Sequence, residues 1–214
     1  MNYKKELVKK IKDMSKYYSG HQVFRDWVEL YAMSIANSCE FHGSKMWEKR
    51  EKQYLSVIGK YKKEEQDGMV ELSGLFVLAM ENDMSDVLGS AYMELETGNK
   101  NTGQFFTPDS ISRLAADLLA RNFCVDLHNL HEPASGSGGM LIAYARALRD
   151  KGVNYQRELE IYASDIDFTC VYMCYIQLSI LGIKATVARQ DTLRAEKVPP
   201  EHIFVTPAKK RLLL

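Results

Sequence analysis

The chain has 214 residues, 46% hydrophobic and 26% charged, a composition typical of a globular protein with a packed core. Its 28 basic residues balance 28 acidic ones, which excludes a whole-chain basic field for nucleic acid but not a local patch. Because no apolar run reaches the length of a bilayer span and the Lys-rich N-terminus lacks a signal-peptide pattern, we expect a soluble cytoplasmic protein without membrane contact.

The cysteines and histidines show no spacing typical of a metal site. Cys170 and Cys174 lie one helical turn apart within an apolar segment, which favours buried thiols. We therefore expect no bound metal.

Apolar residues recur at helical spacing through the first hundred residues. The lysines of the first helix could contact phosphate, although a solvated helix face is the commoner explanation. In the third helix, Trp47, Tyr54, Leu55 and Ile58 are predicted to face inward. The pattern predicts an all-helical domain with helices over residues 3–18, 21–39, 45–63 and 69–80, and a fifth capped by Asp83 or Ser85.

Residues 97–103 contain only turn formers and polar residues, and they mark the predicted domain boundary. We divide the chain into a helical domain, 1–98, and a second domain, 99–214. In the second domain, short β-branched segments alternate with helices, which indicates an α/β fold with a largely parallel sheet. Strands are predicted before Glu132 and at 159–163, 185–188 and 202–205, and helices at 108–120, 140–149 and 168–181.

A glycine-rich loop, residues 132–139, joins the first predicted strand to a helix. Its sequence is Glu-Pro-Ala-Ser-Gly-Ser-Gly-Gly. Glycines permit left-handed backbone and close approach of a ligand, and a helix N-terminus offers free N–H groups. The loop therefore predicts a site for a polar or anionic ligand, with an ordinary strand-to-helix turn as the alternative.

The segment before the helix at 108–120 contains a predicted cap. Thr107 is a natural N-cap, Pro108 suits the first helical position, and Asp109 favours the helix dipole. The neighbouring Phe105 and Phe106 are not needed for capping, and they indicate a binding platform.

Carboxylates follow the next two predicted strands. In doubly wound folds, an acidic residue at such a strand end hydrogen-bonds the ribose of an adenosine-containing ligand. Asp165 is the better candidate for that role, because Asp167 is expected to cap the following helix. Together with Glu132 and Asp191, these residues predict a ligand edge on one side of the sheet.

Two motifs carry a family resemblance. Residues 103–108, Gly-Gln-Phe-Phe-Thr-Pro, and the 132–139 loop resemble paired motifs of S-adenosylmethionine-dependent N6-adenine DNA methyltransferases, especially the modification subunits of type I restriction–modification systems. The segment from Asp86 to Glu94 is similar to the helix that precedes these motifs. The resemblance extends to Leu193 and implies a helical domain followed by a truncated Rossmann-like methyltransferase sheet.

The resemblance also implies roles for individual residues in holding S-adenosylmethionine. One group would hold the methionine part, the glycine loop its amino and carboxylate groups, and the strand ends its ribose and adenine. These residues are Phe106, Thr107 and Pro108; Glu132, Pro133, Ala134, Ser135, Gly136, Ser137 and Gly138; Asp165 for the ribose; and Ile166, Asp191 and Leu193 for the adenine.

The chain departs from the family pattern at the catalytic loop, Asn/Asp-Pro-Pro-Tyr/Phe, where an aromatic stacks on a flipped base. Thr206 stands where the family places this loop, and it cannot provide both the donor and the acceptor of Asn. The one Pro-Pro, Pro199-Pro200, precedes the fourth strand instead of following it. We therefore predict no catalytic residue, and four strands of a fold that usually has seven.

Two functions remain open from the sequence. The first is a DNA adenine N6-methyltransferase subunit, weak or inactive alone, that works on DNA with specificity and restriction subunits. The second is a catalytically degenerate cofactor-binding module that acts through partners or regulation. A small-molecule methyltransferase would leave the Phe-Phe-Thr-Pro element and the helical domain unexplained.

Overall fold

The structure is a computed structural model that describes residues 2–96, 106–120, 128–194 and 196–210. Its contacts divide the chain into two units, Met1–Asp83 with Val87–Phe105, and Met84–Asp86 with Phe106–Leu214. The predicted boundary after residue 98 lies outside the described residues.

The first unit is helical, as the apolar spacing predicts. Ser19 and Ser44 cap the second and third helices, since their side chains accept hydrogen bonds from the N–H groups of Gln22 and Trp47. The helices are α1, Tyr3–Asp13; α2, Gly20–Ser38; α3, Lys45–Ile58; α4, Lys63–Asn82; and α5, Val87–Glu96.

Two local expectations for this unit are wrong. The acidic stretch before Met69 forms the first turns of α4, because Glu65 accepts a hydrogen bond from the Lys62 N–H and thereby caps the helix. Leu55 is 58% exposed, whereas Val57 takes the buried position. The fifth helix begins at Val87, directly after Asp86.

The second unit is α/β. A short helix precedes β2, a 3-10 turn at Pro200–His202 precedes β4, and a short helix ends the described chain; the sequence patterns predict none of these three. The elements are α6, Asp109–Leu119; β1, His128–Glu132; α7, Gly139–Asp150; α8, Tyr155–Glu158; β2, Leu159–Asp165; α9, Phe168–Ile180; β3, Lys184–Arg189; β4, Ile203–Val205; and α10, Pro207–Lys210.

The four strands form one sheet in the order β1-β2-β3-β4. The first three are parallel, and β4 runs antiparallel to β3, with Phe204 opposite Val187. Because β1, β2 and β3 end at the same edge, their following residues lie on one side of the sheet. The residues that follow β4 lie at the opposite edge.

Helix α9 packs its buried face on this sheet. The ring of Phe204 contacts those of Tyr172 and Tyr175, with centroids 5.5 and 5.3 Å apart, and all three side chains are buried. Burial of large aromatic side chains contributes strongly to core stability. This cluster holds β4 beside β3, as the last strand of the sheet.

Helix α6 is amphipathic, but its exposed face is the more apolar one. It buries Ser112 and Ala116 and leaves four large apolar side chains between 51 and 60% exposed. The exposed side chains are Ile111, Leu114, Leu118 and Leu119. The predicted cap is wrong at this helix: Pro108 is the N-cap, its carbonyl accepts from the N–H of Ser112, and Thr107 lies one residue outside.

Among the residues described, no helix combines the length and apolar character that a bilayer crossing needs.

Candidate ligand-binding site

The glycine-rich loop connects β1 to α7 in a tight, hydrogen-bonded path. The Ser135 N–H donates to the carbonyl of Ser164 at 2.9 Å, and the Gly138 N–H donates to the carbonyl of Ser135 at 2.8 Å. Gly136 and Gly138 have φ angles of +52° and +91°, which only glycine adopts without strain. Gly138 then caps α7.

Protein atoms stand beside all three glycines. A Cβ on Gly136 would lie 3.0 Å from the ring of Phe106, and one on Gly138 would lie 3.1 Å from the Sγ of Cys174. A Cβ on Gly139 would lie 3.0 Å from a carboxylate oxygen of Asp86. These glycines therefore let neighbouring parts of the same unit approach the loop.

Asp165 ties the end of β2 to this loop. Its Oδ2 accepts a hydrogen bond from the Gly136 N–H at 2.9 Å, and its Oδ1 accepts from the Asp167 N–H at 3.0 Å. Asp167 caps α9, as predicted, by accepting from the N–H of Thr169 at 2.6 Å. The predicted ribose-binding residue thus lies directly beside the loop.

The side chain of Glu132 turns back toward its own loop, where Oε1 accepts a hydrogen bond from the Ala134 N–H at 3.1 Å. The Pro133 carbonyl accepts from the hydroxyl groups of Ser164, at 3.5 Å, and Thr192, at 3.3 Å. The end of β2 and the segments that follow β1 and β3 therefore meet around Pro133.

A cavity of about 430 Å³ lies beside the ends of β2 and β3. Two predicted adenine-contacting residues, Ile166 and Asp191, line it, and most of the remaining lining is polar or charged, including Arg189, Arg194 and Lys197. The Asp191 carboxylate accepts from the Leu193 N–H at 3.1 Å and pairs with Arg194 at 3.1 Å. Leu193 is 96% exposed and does not line this cavity.

The predicted site residues differ in how closely they gather. The ring of Phe106 lies against Gly136, and Ser135 and Ser137 are buried within the loop. Thr107 and Pro108 are exposed at the start of α6, as are Pro133 and Ala134 on the loop.

Sequence reasoning missed two residues that hold the loop from outside it. The hydroxyl of Ser137 donates to Oδ2 of Asp86 at 2.5 Å, and Gln177 donates to Oδ1 of the same carboxylate at 2.9 Å. Asp86 begins the segment Asp86–Glu94, whose family resemblance could have pointed to it. Gln177 is a polar residue in a mostly apolar helix and belongs to no motif.

The sequence of this unit matches that of a known family. The sequence pattern of the N-6 DNA Methylase family matches residues 83–206, more than half of the chain. The chain belongs to the N-6 DNA Methylase family.

Known proteins resemble this N-6 DNA methylase family member over different shares of their length. The type I restriction enzyme MjaIX methylase subunit of Methanocaldococcus jannaschii is 29% identical over 122 residues, which cover 55% of this chain and 21% of that subunit. A solved putative class I S-adenosylmethionine-dependent methyltransferase from Listeria monocytogenes has a TM-score of 0.53 at 19% identity, over 92% of this chain and 56% of that one. The chain thus spans about a fifth of the first and about half of the second.

A third protein, the solved type I restriction–modification methyltransferase subunit of Streptococcus thermophilus, is 19% identical, with a TM-score of 0.46. It aligns with 92% of this chain and 40% of its own length.

Thr206, where the resemblance places the catalytic loop, lies at the other edge of the sheet. Its side chain is buried, accepts from the Ala185 N–H at 2.9 Å and donates to the Ile183 carbonyl at 2.7 Å. The nearby Lys209 pairs with Glu160 at 2.8 Å. In the methylase family member, this segment therefore supports the start of β3.

The thiols beside the loop are buried, as predicted. Burial raises the pKa of Cys174 to about 12 and raises that of Cys170 strongly as well. Both thiols therefore remain protonated near neutral pH. Within the part of the chain that the structure describes, no cluster of His, Cys, Asp or Glu is arranged to hold a metal ion.

Proposed function

We propose that this chain binds S-adenosylmethionine at the shared edge of β1, β2 and β3, as the cofactor-binding part of a type I DNA adenine N6-methyltransferase. The observation that carries the proposal is the hydrogen bond from Gly136 to Asp165, 2.9 Å long. It joins the glycine loop to the strand-end carboxylate that suits a ribose.

The chemistry of the donor set fits this cofactor. Glu132 offers an acceptor for an ammonium group. The N–H groups of four loop residues donate within the protein, so those of Ser137 and Gly139 would meet a carboxylate. Asp165 retains free lone pairs for ribose hydroxyls, because a carboxylate offers about four acceptor sites and two are used within the protein.

The cavity beside β2 and β3 suits the adenine part. Its volume of about 430 Å³ falls within the range of small-ligand sites. Ile166 offers an apolar wall to the ring and Asp191 an acceptor for the amino group. Phe106, Thr107 and Pro108 would hold the methionine part, from which the bound cofactor supplies an electrophilic methyl group.

We further propose that DNA and other restriction–modification subunits are the partners of this chain, in the cytoplasm. The methylase subunit that the chain resembles is about five times longer than the shared region. Because the chain carries no net charge, it lacks the basic field that DNA binding usually needs. We therefore assign sequence choice and most phosphate contacts to partner subunits.

A second candidate function is a cofactor-binding module that transfers no methyl group. The observation that favours it is the position of Thr206, whose hydroxyl forms hydrogen bonds with the backbone of Ile183 and Ala185. A residue engaged there is not available to hold a target adenine. We expect the chain alone to bind the cofactor with little or no transfer.

Calorimetric titration with S-adenosylmethionine, together with transfer of a radiolabelled methyl group to mixed-sequence DNA, tests both functions. Cofactor binding with methyl transfer supports the methyltransferase subunit, and cofactor binding without transfer supports the cofactor-binding module. The absence of binding by the folded chain would refute both. S-adenosylhomocysteine is a suitable second ligand, because it fills the same site without a transferable methyl group.

A further inference from the structure

Three side chains form a hydrogen-bonded brace behind the glycine loop. They are Asp86, Ser137 and Gln177, which come from three distant parts of the sequence and belong to the same structural unit. We propose that Asp86 is a positioning residue, which fixes the loop at residues 136–139 in its ligand-binding form. This inference rests on the proposed function for the identity of the ligand.

The first part of the brace is the Asp86 carboxylate. Its Oδ2 accepts from the Ser137 hydroxyl at 2.5 Å, and its Oδ1 accepts from the Gln177 amide at 2.9 Å. Hydrogen bonds to a charged acceptor are among the stronger ones in proteins. Both carboxylate oxygens thus connect the segment before α5 to the loop and to α9.

The second part is the Gln177 amide, which is fully buried in a mostly apolar helix. Its Nε2 also donates to the backbone carbonyl of Ser137 at 2.8 Å. Since an amide nitrogen carries two donors, one reaches Asp86 and the other the loop backbone. Gln177 therefore fixes the Ser137 peptide directly and the Ser137 side chain through Asp86.

The third part is the space left by Gly139, the first residue of α7. A Cβ there would lie 3.0 Å from Oδ2 of Asp86 and 3.5 Å from its Cγ. Glycine at this position lets the carboxylate approach the helix N-terminus, where negative charge is favourable. The Ser137 hydroxyl thus donates to Asp86 while its carbonyl accepts from Gln177, so the brace holds both oxygen atoms of this loop residue.

A loop held in one form before binding loses less conformational entropy when the ligand arrives. Removal of the brace should therefore weaken binding more than it weakens folding. We expect Asp86→Ala and Ser137→Ala each to raise the dissociation constant for S-adenosylmethionine by about tenfold. The double variant should bind little more weakly than the weaker-binding of the two single variants, because both changes break the same contact.

Asp86→Asn separates hydrogen bonding from charge. Its oxygen can accept from Gln177 while its amide donates to the Ser137 oxygen, so we expect affinity within about threefold of the unchanged chain. Gln156→Ala is the matched control. The Gln156 amide also donates to a backbone carbonyl in this unit, that of Leu181, at 2.9 Å. The Gln156→Ala variant should bind S-adenosylmethionine with unchanged affinity.

A ligand-independent measurement keeps the two proposals apart. In the unliganded chain, Asp86→Ala should speed hydrogen exchange at the Gly136 and Gly138 amides by about tenfold or more, and Gln156→Ala should not. Faster exchange with no cofactor binding by the unchanged chain would support the brace and refute the proposed function. Unchanged exchange, or strictly additive losses of affinity in folded variants, would overturn the brace.

Discussion

The Oδ2 atom of Asp165 lies 2.9 Å from the backbone nitrogen of Gly136, 29 residues earlier in the chain. One carboxylate therefore supports the loop and faces the edge at which the proposed ligand binds. A change at Asp165 should affect both the loop and the ligand.

We expect Asp165→Ala to raise the dissociation constant for S-adenosylmethionine by between about tenfold and 100-fold, because a charged acceptor is lost. Asp165→Asn keeps one acceptor for Gly136 and should lose less. Calorimetric titration measures both. Equal affinities for all three chains would remove Asp165 from the site.

Ile166 offers a test of the adenine pocket that does not disturb the core, because its side chain is 62% exposed. We expect Ile166→Glu to weaken cofactor binding by about tenfold, since a charged group replaces an apolar wall. Leu114→Glu on α6, at a side chain 59% exposed, is the matched control and should bind as before. Urea unfolding should show both variants within about 0.5 kcal/mol of the unchanged chain. Equal loss in the two would argue against a pocket at Ile166.

Two glycines within α4 should respond differently to alanine. A Cβ on Gly74 meets no atom within 4 Å, so Gly74→Ala should raise the free energy of unfolding by about 0.5–1 kcal/mol through helix propensity. A Cβ on Gly68 would lie 2.9 Å from the Met14 side chain, so Gly68→Ala should gain less or lose stability. In a Met14→Ala background the difference should shrink. A persistent difference would point to a cause other than this contact.

The raised pKa of Cys174 predicts slow chemistry at this thiol. We expect iodoacetamide at pH 8 to modify Cys39, which is partly exposed, more than about 100-fold faster than Cys174. Peptide mass spectrometry measures the two rates, and unfolding in urea should equalise them. Fast labelling of Cys174 in the folded chain would show that the thiol is accessible.

The same thiol makes a signed contribution to stability against pH. Because the folded state favours the neutral thiol, its contribution is fully present below the ordinary pKa of 9.0 and is lost as pH rises toward about 12. Cys174→Ser should reduce the loss of stability with pH above 9.0, as measured by urea unfolding at several pH values. An unchanged slope would mean that other groups cause it.

Thr206 should matter for stability and not for the cofactor. Thr206→Val leaves the Ala185 N–H and the Ile183 carbonyl without their partner, which should cost about 1–3 kcal/mol of unfolding free energy. Thr206→Ser keeps the hydroxyl and should lose less. Cofactor affinity should remain unchanged in both. A specific loss of affinity in Thr206→Val would place this residue nearer to the ligand than the sheet order implies.

Local patterns in the sequence contain the periodic features of this protein. Helical spacing predicts the five helices of the first unit, and the alternation of short segments with helices predicts the four strands of the second. The carboxylates at 132, 165 and 191 were predicted to share an edge, because parallel strands end on the same side of a sheet. These features depend on residues close together in the chain, so local patterns contain them.

Long-range packing sets which partners those residues meet. Only long-range packing turns β4 antiparallel and carries Thr206 to the edge away from the glycine loop. Only the fold brings Asp86 and Gln177, which lie 91 positions apart in the sequence, within hydrogen-bond distance of each other. The glycines of the loop are visible in the sequence. The side chains that need the space beside them come from distant elements.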